Sequence, residues 1–166
     1  MKRLVAFILV AAPLLAMGAQ DSVVVRVSWQ VLPFALLSID GQQWGESAVA
    51  ITPLPEPTPT DYARGYLLIP QAVTLRILSN THWTVLVQTL SPSLGSSYDG
   101  NFSWEINALE VGIGGVFLPL SPEPQPLISG ANGRHDLAVD YRVRLPEGGL
   151  PPGEYQAVVV YTITTD

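Results

Sequence analysis

His82 and His135 are the only histidines in the chain, and so its only side chains that titrate near neutrality without help. A hydrolytic triad needs a nucleophile, such a base and an orienting acid. Serines and acids are plentiful, but both histidines fall in segments that read as turns, and no serine stands in a Gly-x-Ser-x-Gly elbow. Both are read as turn residues facing solvent. Carboxylate pairs are the next possibility. Asp136 and Asp140 lean to the same polar side of one strand, and Glu105 and Glu110 flank another. Glycoside hydrolysis would need such a pair about 5–10 Å apart across a cleft, and solvated charge on a sheet face accounts for these four without one. His135 and Asp136 are adjacent, and Asp99-Gly100-Asn101 has a composition that suits calcium. Calcium, however, collects about six or more oxygens from a spaced carboxylate set, so a plain turn is the reading here. No catalytic residue, metal or cofactor is assigned, and the chain is expected not to be an enzyme.

Aromatic residues offer more. Trp44 and Tyr62 lie in a polar, proline-rich stretch outside any strand pattern, where exposed rings could hold a sugar or a protein partner. Trp29, Trp83 and Trp104 stand in phase with apolar faces, which favours packing in a core.

The elements that must carry these residues are strands, because period-two alternation recurs and no dozen residues show a helical stripe. Val23, Val25, Val27, Trp29 and Val31 share one face of a first strand, with Arg26, Ser28 and Gln30 on the other. Phe34 to Ile39 forms a second run and ends at the turn signal Asp40-Gly41. Prolines 53, 55, 57 and 59 make 52–60 an extended polyproline-type loop within the domain, since proline cannot donate to a ladder. Strands resume at Tyr66–Ile69, Ala72–Ser79 and Trp83–Thr89. The last two read as a hairpin across Asn80-Thr81-His82, with Val73, Leu75, Ile77, Trp83, Val85 and Val87 facing inward. Ser91 to Gly100 reads as a polar loop, Phe102, Trp104 and Ile106 as the opening of a strand, and Val116–Leu120 and Leu127–Ile128 as weaker strands. Asp136 to Leu145 alternates cleanly. Glu154 to Thr165 is read as one closing strand, covered on both sides or paired centrally, because Val158 and Val160 make its second face apolar too.

Lys2 and Arg3, an apolar run from Leu4 to Leu15 and small residues at Ala16, Gly18 and Ala19 follow the order of a cleavable signal peptide, placed at 1–19. The apolar run is shorter than the ~20 residues a membrane-spanning helix needs, so no span is expected after cleavage. Residues 20–166 then make one domain. Cysteine is absent, which excludes a disulfide frame and leaves stability to the hydrophobic core. Six arginines face fourteen acidic residues in that part, a formal charge of −8 that repels phosphate backbones and argues against nucleic acid as a partner. About 8–9 strands with turns at this spacing imply an all-β, immunoglobulin-like Greek-key sandwich.

Ser79-Asn80-Thr81-His82-Trp83-Thr84-Val85, Leu150-Pro151-Pro152-Gly153-Glu154-Tyr155 and Val160-Tyr161-Thr162-Ile163-Thr164 together resemble small secreted bacterial β-sandwich domains: fimbrial-type and spore-coat-type subunits and WxL cell-wall-associated domains. The WxL motif itself is Trp-x-Leu, where this chain has Trp83-Thr84-Val85. The resemblance implies that Tyr155, in a Pro-Gly-x-Tyr turn, braces a corner between sheets. It also implies a secreted role in the bacterial periplasm or at the cell surface, as a coat or filament-type subunit that binds itself or other envelope proteins. In that setting Val23, Val25, Val27, Trp29 and Val31 are candidate donor-strand positions, able to complete a neighbour's sheet. The preferred reading is that they form the domain's own first strand, since the chain offers enough strands for either arrangement. The alternative function is a module for cell-wall carbohydrate using Trp44 and Tyr62.

Overall fold

The computed structural model describes residues 26–44 and 54–165; the signal segment, Val23, Val25 and Pro53 lie outside them. Two units divide the chain, Met1–Val31 and Leu32–Asp166. In the first, the described residues Arg26–Val31 form neither helix nor strand, unlike the strand expected there, and Val27, Trp29 and Val31 are exposed.

The second unit is nearly all β, with three antiparallel sheets in a sandwich-like arrangement. Its strands are β1 (Ala35–Ile39), β2 (Tyr66–Ser79), β3 (Trp83–Thr89), β4 (Ser93–Ser97), β5 (Ser103–Glu105), β6 (Leu109–Ile113), β7 (Val116–Pro119), β8 (Gln125–Gly130), β9 (Gly133–Arg144), β10 (Gly153–Tyr155) and β11 (Val159–Thr165). The order is β1-β2-β9-β6-β7 in the large sheet and β11-β3-β8 and β10-β4-β5 in the two small ones. Leu75, Ile77, Val111 and Val139 of the large sheet share one core with Trp83, Val85 and Val87 of β3 and with Leu94 and Trp104 of β4 and β5.

The expected hairpin between β2 and β3 does not form. β2 pairs with β1 and β9, while β3 pairs with β11 and β8, so Asn80-Thr81-His82 carries the chain from one sheet to another. Side chains hold that corner. The Asn80 amide accepts from Phe34 N at 2.8 Å and donates to Leu32 O at 3.0 Å, and Ser79 Oγ accepts from Thr81 N at 3.1 Å. The six inward residues named for the hairpin are all buried, but each set belongs to its own sheet. Burying a Val, Leu or Ile side chain stabilises by about 1.5–3 kcal/mol, and either arrangement collects this; the corner's hydrogen bonds favour crossing.

Four further segments differ from expectation. The proline-rich loop ends earlier than 60, because Pro59 opens a short helix, α1 (Pro59–Arg64). Thr58 Oγ1 accepts from Asp61 N while the Asp61 carboxylate accepts from Thr58 N at 2.9 Å, a capping box, and Gly65 closes the helix at φ 77°. Proline is tolerated at the first helical position because its missing N–H would have no partner there. The polar stretch 91–100 contains β4, and the run through Ile106 is cut short at Glu105 by a single 3-10 turn, Ile106–Ala108. The closing strand breaks at Gln156–Val158. Its first part, β10, joins β4, and its second, β11, is an edge strand, neither central nor covered on both sides.

Candidate functional site

Of the residues that could do chemistry, most are engaged in structure. His135 lies inside β9, not in a turn; its ring packs edge-on against Trp83 at 5.1 Å and its Nε2 sits 3.0 Å from Ala131 O. His82 does sit between strands. Asp136 pairs with Arg76 at 3.4 Å, and Asp140 accepts from Gln71 N at 2.7 Å, where β2 bulges and Gln71 adopts φ 48°. Glu105 is exposed, as expected. Glu110 is buried rather than solvated: it accepts from Arg142 Nε and lies 3.5 Å from Arg144, while the Arg142 guanidinium stacks 4.1 Å over Phe117. A buried carboxylate left unpaired would be costly, so these arginines hold it in place.

Asp99 accepts from Ser97 Oγ at 2.5 Å and from Asn101 N at 3.1 Å, which holds its carboxyl below the usual range, the Ser97 hydroxyl being the main cause. Its oxygens therefore brace the turn. Among the described residues, no group of three or more His, Asp or Glu gathers in a way that could hold a metal.

The two candidate aromatic contacts fall in different settings. Trp44 is in the turn after β1 and is partly exposed. Tyr62 is on α1, where its hydroxyl accepts from Leu150 N at 3.2 Å and ties the helix to the loop before β10. Tyr98 is more exposed than either, at 74 %. It lies at a shallow groove of about 500 Å³ lined by Ser93, Ser96, Glu154 and Gln156. No sequence signal marks Tyr98, because it follows β4, itself hidden in a Gly/Ser-rich stretch.

Tyr155 stands where β10 and β4 come closest. Its hydroxyl donates to Pro151 O at 2.8 Å, four residues upstream, and its ring meets Trp104 edge-on at 5.3 Å. The approach depends on two glycines. A Cβ on Gly95, at φ 131°, would lie 2.2 Å from Glu154 O, and one on Gly153 would lie 2.5 Å from Ser96 O.

No protein-family model matches the chain, and comparison with curated proteins finds no match. Function therefore rests on the molecule's own surfaces. Among these, the apolar alternation of Val27, Trp29 and Val31 is the most exposed, at 75 %, 80 % and 67 %. The open strand β11 is the second feature. Its residues Val159, Val160, Tyr161, Thr162, Ile163, Thr164 and Thr165 are all β-branched or aromatic, and among the described residues it pairs only with β3. Such an edge presents unpaired backbone N–H and C=O groups along its free side. Among the described residues no helix is long and apolar enough to cross a membrane.

Proposed function

We propose that this chain is a secreted, non-enzymatic structural or interaction protein of the bacterial envelope. It is built on an immunoglobulin-like Greek-key sandwich and assembles through residues 23–31. The Greek-key assignment draws support from the non-consecutive neighbours β2-β9-β6 and from the crossing at Asn80–His82. The role as an assembling subunit rests on one observation: Val27, Trp29 and Val31 alternate with Arg26, Ser28 and Gln30, yet belong to no strand and are left exposed. An alternating segment gains its hydrogen bonds and buries its apolar face when it is added to an existing sheet edge. Contiguous exposed apolar surface in a secreted protein marks an interaction site.

The test is the mass of the purified chain by light scattering during size-exclusion chromatography, compared with a Val27→Asp/Trp29→Asp variant. Both changes fall on exposed positions, and circular dichroism checks that the fold is intact. Oligomers that dissolve in the folded variant support the reading. A monomer in both overturns it and turns attention to glycan binding, first at Tyr98.

A further inference from the structure

Taking residues 23–31 as the assembling segment, we infer that their acceptor is the β11 edge of a second copy of this chain. Among the described residues, three sheets have six edge strands, and five of them are protected against addition. β5 and β10 have three residues each, β7 has four and ends in Pro119, β8 contains Pro126 and a register shift against β3, and β1 has only five, with Pro33 just before it. Short edges, prolines and bulges are the usual means of blocking edge-to-edge pairing. β11 has none of them. Its seven residues run in unbroken register from Val159↔Thr89 to Thr165↔Trp83, without charge, proline or glycine.

The sides of β11 match the segment. Tyr161 and Ile163 lie opposite the buried Val87 and Val85, so they face inward, but each is only half-buried. Leu37 and Ile39 of β1, the nearby edge of the large sheet, are half-buried as well, and β1 approaches β11 without pairing with it. The inward residues of the neighbouring interior strand β3, Trp83, Val85 and Val87, are buried. A strand added to β11 with Val27, Trp29 and Val31 inward covers this apolar flank, and Ser28 and Gln30 then fall beside the exposed Thr162 and Thr164. Length fits, because the sequence alternates over the seven residues 25–31 and β11 has seven. Charge fits too: Arg26 is the segment's one charge, whereas the chain beyond Val31 carries thirteen acidic residues against five arginines.

The absence of cysteine gives a direct test. Two single-cysteine variants, Ser28→Cys and Thr162→Cys, are mixed and oxidised, and disulfide-linked dimers are read on a non-reducing gel. Ser28→Cys mixed with Val116→Cys, on the exposed β7 edge, is the control. The expected result is a linked dimer for the Thr162 pair, at least several-fold above the control, with oligomers by light scattering that are lost in a folded Thr162→Lys/Thr164→Lys variant. Equal linking to both edges, or oligomers that survive the lysines but dissolve with Val27→Asp/Trp29→Asp, overturns the β11 assignment while leaving assembly through residues 23–31 standing. A chain monomeric at every concentration overturns both.

Discussion

Gly130→Ala should cost far more stability than a single methyl group suggests. A Cβ at Gly130 would stand 2.3 Å from Trp83 Cζ2 and 2.7 Å from Cε2. Carbon atoms pack comfortably at about 3.5–4.0 Å, so the indole or the β8 backbone must retreat by more than 1 Å. Trp83 has no room to do so. It is 2 % exposed, its Nε1 donates to Ala131 O at 2.7 Å, and His135 closes on its ring. Overpacking of this kind costs about 1–3 kcal/mol, which in a domain of this size lowers the melting temperature by roughly 3–12 °C. Gly148→Ala is the matched control, because a Cβ there meets nothing within 4 Å. It should hold the melting temperature or raise it slightly through the unfolded chain's lost freedom. Thermal unfolding by circular dichroism, with tryptophan fluorescence to follow the indole, reads both. A Gly130→Ala protein that melts with the wild type and keeps its tryptophan spectrum would refute the packing of β8 on Trp83.

Two further outcomes follow from hydrogen-bonded tyrosine hydroxyls. Tyr155→Phe keeps the ring against Trp104 but removes the bond to Pro151 O, and should destabilise by about 1 kcal/mol in urea unfolding, whereas a purely apolar role for Tyr155 would leave the midpoint unchanged. The Tyr141 and Tyr161 hydroxyls lie 2.8 Å apart, and burial, first among the causes, raises both above the ordinary value of 10.0. Because the neutral forms are favoured in the folded state, their stabilisation is complete below that value and is lost as pH rises past it, when the unfolded chain ionises first. Tyrosinate absorbance should therefore appear in two phases, the later one coinciding with unfolding, and Tyr161→Phe should weaken the alkaline loss; a single phase without unfolding would contradict the buried pair.

Alternation alone identified the buried residues of β2 and β3, Val73, Leu75, Ile77, Trp83, Val85 and Val87, and the bounds of β3, because a period of two reports which side of a strand is apolar. The Tyr155 bond to Pro151 O lies in the Pro-Gly-x-Tyr run to which only the family resemblance, and not alternation, draws attention. Local pattern does not report which strand lies alongside. A three-residue connection can close a hairpin or cross between sheets with the same inward residues, and it was the Asn80 and Ser79 side chains, reaching 45 or more residues back to the entry of β1, that placed β2 and β3 in different sheets. β4 was hidden because its residues Ser93-Leu94-Gly95-Ser96-Ser97 have turn composition. Their strand exists because Gly95 and Gly153 let two backbones meet. The same holds for β11. Its sequence reads as strand anywhere, but its position at an unguarded edge follows from pairing with β3 seventy or more residues earlier in the chain, and only the tertiary structure could decide that.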